Sequence, residues 1–207
     1  YRNTFDVNTF DGNNKCVTLL FDGAMSEARV YVNGKEAIFW PFGYNSFHCD
    51  VTDFLNKDGK GNLLTVRLEN KPESSRWYPG AGLYRNVHVI VTENTHVPVW
   101  GTYITTPFVS EEYASVKLKT EIANSGKEDV RIVTEIKDKE GRVVSKKDNT
   151  LKINHNQPFE QNFIVDNPRL WSPEIPYLYN AVSKVYIKDK LVDEYNTRFG
   201  IRDIKLI

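Results

Sequence analysis

Apolar and polar residues alternate along most of this chain with a period of two, the spacing that sends successive side chains to opposite faces of an extended strand. Residues 15–22 put Val17, Leu19 and Phe21 on one face, residues 27–33 do the same with Ala28, Val30 and Val32, and residues 62–69 with Leu64, Val66 and Leu68. Further strands are predicted over 1–7 and 46–51, and the polar, glycine-bearing stretch Lys57 to Gly61 reads as a turn. Asn33-Gly34 predicts a tight hairpin, because a type I′ turn needs positive φ at both central residues and Asn followed by Gly supplies it at least cost. From Leu83 to Val91 the alternation sets Tyr84, Asn86, His88 and Ile90 against Arg85, Val87, Val89 and Val91, which predicts a strand with one well-buried face.

The pattern breaks over 92–98, where Glu93-Asn94-Thr95 and Pro98 interrupt it, and a domain boundary is predicted there, dividing the chain into 1–94 and 95–207. A second set of strands follows. Val116, Leu118 and Ile122 alternate before the turn Asn124-Ser125-Gly126, and Val130, Ile132 and Ile136 alternate before Lys139-Glu140-Gly141. Strand patterns also cover about 142–153, 159–165, 179–187 and 191–197. No stretch carries a helical period, so the predicted class is all-β with two sandwiches. The first strand starts without a preceding turn and the chain opens on Tyr-Arg-Asn-Thr-Phe, so the first sandwich is expected to lack N-terminal strands. An open edge and an uncovered apolar face favour self-association, hence a homo-oligomer.

Residues 74–89, Ser-Ser-Arg-Trp-Tyr-Pro-Gly-Ala-Gly-Leu-Tyr-Arg-Asn-Val-His-Val, stand apart from this regular pattern. Pro79 removes a backbone donor, and Gly80 and Gly82 allow positive φ or close backbone approach, so Arg76, Trp77 and Tyr78 sit just before a specified bend. Arg76 suits donation to hydroxyls and Trp77 suits stacking on a flat apolar face. Trp77 and Tyr78 equally suit a packing role that holds the bend.

A hydrophobic share of 40% with 13% aromatics is ample for packed cores. The 27 basic residues balance 27 acidic ones, which argues against partners recruited by net charge, such as nucleic acid or a membrane surface. No apolar run approaches the roughly 20 residues of a membrane-spanning helix. Cys16 and Cys49 fall in strand-like segments, where a thiol most often serves as a small buried hydrophobe, and they leave the compartment open. His48, His88, His96 and His155 have no metal-ligand spacing, no Ser sits in a nucleophile elbow, and no glycine cluster opens a helix, so no cofactor or metal is expected. The acids, such as Glu111 with Glu112 or Asp138 with Glu140, read as solvated charge on turns and polar strand faces, and none is expected to be catalytic.

The stretch 74–89 resembles the signature of the sugar-binding domain of glycoside hydrolase family 2, the family of β-galactosidases, β-glucuronidases and β-mannosidases. Phe21-Asp22-Gly23-Ala24-Met25-Ser26-Glu27-Ala28, Val30-Tyr31-Val32-Asn33-Gly34, Phe47-His48-Cys49-Asp50-Val51-Thr52-Asp53-Phe54-Leu55 and Asn62-Leu63-Leu64-Thr65-Val66 resemble that domain's middle strands in order and spacing. Asn167-Pro168-Arg169-Leu170-Trp171-Ser172-Pro173 through Tyr179 is similar to the family's immunoglobulin-like domain, and Arg198-Phe199-Gly200-Ile201-Arg202-Asp203-Ile204 to the strand leading toward its catalytic barrel. The resemblance implies a truncated jelly roll over 1–94 and an immunoglobulin-like sandwich over 95–207, with the two catalytic Glu residues on a barrel outside this sequence. It implies a carbohydrate substrate met by Arg76, Trp77 and Tyr78, the protein's own barrel as a partner, and no hydrolysis by these residues alone. Trp171 and Tyr177 are expected to be core and interdomain packing. A non-catalytic carbohydrate-binding module, with Trp40, Phe42, Tyr44 and Trp77 as stacking rings, and an immunoglobulin-like spacer stay open beside this reading.

Overall fold

The structure, a computed structural model, describes residues 1–10, 12, 15–73, 80–123, 126, 128–152 and 158–204. It is all-β, with fourteen strands among the described residues in four antiparallel sheets and a single 3-10 turn at Thr52–Phe54. The chain divides into two compact units, Tyr1–Glu93 and Asn94–Ile207.

The first unit contains β1 (Arg2–Phe5), β2 (Lys15–Phe21), β3 (Ala28–Val32), β4 (Lys35–Trp40), β5 (Phe47–Asp50), β6 (Asn62–Arg67) and β7 (Val87–Glu93). One sheet runs β1-β6-β3-β4 and the other β5-β2-β7. The predicted inward residues Val17, Leu19, Phe21, Ala28, Val30 and Val32 are buried in one cluster with Phe47, Cys49, Val51 and Val66. Phe21 and Phe47 stack with ring centres 4.7 Å apart, and Trp40 stacks on Phe47 at 5.5 Å. Asn33 and Gly34 have φ of 50° and 82°, as a type I′ turn requires, and Val32 pairs with Lys35 across it. Phe39 and Trp40 are the last residues of β4, because this hairpin carries the strand that far.

A buried Asn62 ties the turn regions of this unit together. Its Oδ1 accepts from the Asn56 backbone N–H at 2.8 Å and from Asn33 Nδ2 at 3.0 Å, and its Nδ2 donates to the Gly59 carbonyl at 2.7 Å. Asn33 in turn receives the Leu63 N–H on Oδ1 and donates to the Phe54 carbonyl, so one side-chain pair connects the β3–β4 hairpin, the 3-10 turn and the start of β6.

The expected well-buried face of β7 is not found. β7 begins at Val87, four residues later than the alternation predicts, and Val89 and Val91 are 42% and 37% exposed. They lie directly across from Leu19 and Val17, on the core side of the sheet, but β7 is its edge strand and the core does not reach that far.

The second unit contains β8 (Thr102–Val109), β9 (Tyr113–Thr120), β10 (Asp129–Lys137), β11 (Val143–Lys152), β12 (Phe159–Asp166), β13 (Tyr179–Ile187) and β14 (Lys190–Phe199). Its sheets are β11-β10-β13-β14 and β12-β9-β8. Val116, Leu118, Ile136, Phe163, Val165 and Ala181 form one buried cluster, and Ile122, Val130, Ile132 and Val185 another. A buried polar pair, Thr134 with Ser183 across β10 and β13, is satisfied by a mutual hydrogen bond of 3.1 Å. The sequence pattern missed β8, which Pro107 interrupts; the register shifts between Thr105 and Phe108 there, and β8 is an edge strand, where a missing N–H costs no ladder bond. The turn predicted at Asn124-Ser125-Gly126 lies, except for Gly126, outside the described residues, as does Ile153 at the end of a predicted strand.

Two expectations in this unit are corrected. Tyr177 is core, but Trp171 is only half-buried: its N–H donates to the Ile201 carbonyl at 2.8 Å and its ring lies 5.0 Å from the Arg202 guanidinium, at the rim and not within either cluster. Asp138 is not solvated surface charge. It is buried and closes the 138–142 turn by accepting the Arg142 backbone N–H at 2.8 Å and Arg142 Nε at 2.7 Å. Burial alone would raise its pKa, yet these Arg142 contacts prevail and hold the carboxyl below its usual range.

Candidate functional site at one end of the first unit

Arg76, Trp77 and Tyr78 lie outside the described residues, within 74–79. The segment that follows them is well determined by its neighbours. Gly82 and Met25 exchange backbone hydrogen bonds, Met25 N–H to Gly82 O at 3.0 Å and Gly82 N–H to Met25 O at 3.1 Å. Two residues on, the Tyr84 hydroxyl donates to the Gly43 carbonyl at 2.7 Å. A Cβ at position 43 would run into the Met25 thioether, so glycine there lets the 41–46 turn lie against Met25 without displacing its side chain. Ser46 Oγ donates to the Asp22 carbonyl at 3.1 Å and the Asp22 N–H to the Asn86 carbonyl at 3.0 Å. Three loops, 22–26, 41–46 and 80–86, thus form one hydrogen-bonded end of the sandwich.

This end carries aromatic rings in the open. Phe42, Tyr44 and Tyr84 are 51%, 47% and 46% exposed, and Phe42 and Tyr44 sit 5.6 Å apart with their planes 62° to one another. The Arg85 guanidinium lies 5.5 Å from the Tyr84 ring centre. Beside them Asp22 Oδ2 and His88 Nε2 pair at 2.9 Å, both partly exposed. Trp40, named with Phe42 and Tyr44 in the sequence, is instead turned toward Phe47 and half-buried. Neither the Asp22–His88 pair nor the Tyr84–Gly43 bond had a signal in the sequence, since both join residues more than forty positions apart.

Other chemistry is sparse. Among the described residues no group of three or more His, Cys, Asp or Glu side chains is placed to hold a metal ion, and no helix is long and apolar enough to cross a membrane. Neither Cys16 nor Cys49 is in a disulfide. Burial, with the Asp50 charge second, pushes Cys49 up to about 12, and the same causes, with Asp53, raise Cys16, so neither favours a nucleophilic thiolate at neutral pH. His155 lies outside the described residues.

Comparison with known proteins agrees with this architecture. A β-galactosidase of Bacteroides ovatus is 37% identical over the whole chain, which spans 25% of its length. A β-glucuronidase of Formosa agariphila is 30% identical over 93% of the chain and 22% of its own. Among solved structures, a glycosyl hydrolase family 2 member from Bacteroides cellulosilyticus superposes with a TM-score of 0.93 at 32% identity, over 99% of this chain and 27% of that one. The chain therefore spans about a quarter of the relatives it matches. The model of the glycosyl hydrolases family 2 matches residues 95–202, more than half of the sequence. Sandwich architecture, end-to-end similarity and family match agree, and this chain belongs to glycosyl hydrolases family 2.

Proposed function

We propose that this chain is the non-catalytic β-sandwich part of a β-galactosidase that hydrolyses terminal non-reducing β-galactosides, and that its first domain contributes to the substrate pocket. On this reading residues 1–94 are a sugar-binding jelly roll, residues 95–207 an immunoglobulin-like domain, and Arg76, Trp77 and Tyr78 contact the substrate. The observation that carries the reading is 37% identity to a β-galactosidase along the entire chain, while the chain accounts for only 25% of that protein. Retaining hydrolysis of a glycosidic bond needs two carboxyl groups about 5 Å apart, one acid and one nucleophile. The family resemblance puts both on the barrel, the partner of these sandwiches. The carbohydrate is the other partner; nucleic acid and membrane are not, and the exposed edge face of β7 supports a homo-oligomer.

The test compares the full-length parent with the 207-residue chain on chromogenic β-galactoside, β-glucuronide and β-mannoside. The parent should turn over the galactoside fastest and the chain alone none of the three. Turnover by the chain alone would overturn the assignment of a non-catalytic role. A β-glucuronidase is the second reading, favoured by the Formosa agariphila relative, and preference of the parent for the glucuronide would select it.

A further inference from the structure

We infer that Asn33 is a self-modification site of the first unit: the nitrogen of Gly34 displaces its side-chain amide as ammonia, and the Asn33–Asn62 pair holds that reaction off while the unit is closed. Asn33-Gly34 is the single Asn-Gly step in the sequence. The inference concerns how this unit ages and is independent of any substrate.

The chemistry needs an unshielded backbone nitrogen next to an amide. Glycine places no side chain beside that nitrogen, and position 34 is exposed with no atom within 4 Å of where a Cβ would stand, so water and base reach the turn. In the attack the Gly34 nitrogen bonds to Asn33 Cγ and gives up its proton, while the Cγ–Nδ2 bond breaks and Nδ2 leaves with that proton as ammonia. A water molecule then opens the resulting succinimide on either side. The products are an aspartate at position 33 or an isoaspartyl link, in which the backbone runs through the side chain.

In the closed unit this amide is pinned. Nδ2 donates to the Phe54 carbonyl at 2.9 Å and to Asn62 Oδ1 at 3.0 Å, which uses both of its hydrogens, and Oδ1 accepts the Leu63 N–H at 2.9 Å. The Asn33 backbone N–H donates to the Leu63 carbonyl at 2.9 Å, so main chain and side chain are tied to the same neighbour. To bring Cγ onto the Gly34 nitrogen the side chain must rotate out of these bonds, away from a partner, Asn62, that is fully buried. Reaction therefore waits for this end of the unit to open. The product cannot restore the pair, because a carboxylate has no hydrogen for the Phe54 carbonyl or Asn62 Oδ1 and sets oxygen against both. Each opening that leads to reaction is thus recorded as a lasting loss of the tie between the β3–β4 hairpin, the 3-10 turn and β6.

The test is incubation of the 207-residue chain in mildly alkaline buffer across a urea series, followed by peptide mapping with mass spectrometry, which locates the acid formed and separates the two products. Conversion at Asn33 should be slower by about tenfold or more in the native chain than in denaturing urea. In denaturing urea, where the native φ of 82° at position 34 no longer matters, Gly34→Ala should slow conversion severalfold. Asn62→Ala, which releases one hydrogen of Asn33 Nδ2, should convert about tenfold or more faster than wild type under native conditions, alongside faster hydrogen exchange of its β3 and β6 amides. Converted wild type should show the same faster exchange in β3 and β6, with β10 and β13 unchanged. Absence of conversion at Asn33 in denaturing urea, or equal native and denatured rates, overturns the inference. So does an Asn62→Ala rate within about twofold of wild type, or unchanged exchange after conversion. If Asn62→Ala does not fold, the urea series of wild type decides: conversion must rise in step with unfolding of the first unit, and a rate indifferent to that transition overturns the gate.

Discussion

Replacing Asn62 tests whether the first unit is held by its buried amide as well as by its apolar core. The residue is 0% exposed, and truncation to Ala removes two hydrogen bonds from Oδ1 and one short bond from Nδ2. The Gly59 carbonyl keeps a partner, since it also accepts the Val7 N–H at 2.8 Å. The Asn56 N–H and one hydrogen of Asn33 Nδ2 do not keep theirs. A buried donor left without a partner costs about 1–3 kcal/mol, and because Asn56 is itself exposed, water restores part of its loss, so Asn62→Ala should destabilise by about 2–4 kcal/mol. Asn62→Asp is the sharper variant: nearly the same shape, but it sets a carboxylate oxygen against the Gly59 carbonyl. Desolvation raises that carboxyl's pKa in the folded state. The stability of Asn62→Asp is therefore retained below the unfolded carboxyl's pKa of about 4 and lost as pH rises above it, leaving the variant weaker at pH 7 than at pH 4 relative to wild type. Native-state hydrogen exchange read by mass spectrometry separates the units, with β10 and β13 as internal controls. For amides of β3 and β6 that exchange by opening of the first unit, about 2–4 kcal/mol is about 30- to 700-fold faster exchange. Rates within threefold of wild type in Asn62→Ala, or wild-type behaviour of Asn62→Asp at pH 7, would refute the reasoning.

Three other outcomes are expected. Burial pushes the Cys49 thiol up to about 12 from an ordinary 9.0, so its contribution is intact below about pH 9 and is lost as pH rises toward 12; between pH 8 and pH 10 wild type should lose about 1 kcal/mol more than Cys49→Ala in urea unfolding, and equal losses would remove the thiol as the cause. Phe163→Ala should cost about 3–5 kcal/mol, as a ring almost fully buried in the core, whereas Trp171→Ala at the half-buried rim should cost clearly less, and a Trp171 effect equal to that of Phe163 in thermal melts would restore Trp171 to the core. In the parent enzyme, Arg76→Ala should lower kcat/KM by roughly 5- to 150-fold, equivalent to about 1–3 kcal/mol for a lost polar contact whose partner stays buried; unchanged kinetics would remove Arg76 from the site.

What was legible in the sequence is what repeats locally. A period of two reports which side of a strand meets apolar neighbours, so Val17, Leu19, Phe21, Val30, Val32, Val116 and Leu118 were placed in cores correctly. Asn33-Gly34 was legible because positive φ at two successive positions has a strong residue preference. The conformation of the turn between β13 and β14 was not, because Lys188 and Asp189 take φ of 48° and 62° without glycine, and tertiary pairing of Ile187 with Lys190 imposes that shape. Pro107 hid β8 for the opposite reason, a local signal overridden by an edge position where it does no harm.

Alternation, turn chemistry and motif wording are properties of neighbours along the chain, and from them came the all-β class, most of the inward residues and the family resemblance. Tertiary structure alone decided which alternating faces are covered, leaving Val89 and Val91 of edge strand β7 exposed, and which polar groups are buried, as for Asp138 and Asn62. It also gathered Asp22, Phe42, Tyr44, Tyr84 and His88 at one end of a sandwich. Burial and juxtaposition depend on what lies across a sheet, set by partners tens of residues away, and no local pattern carries that distance.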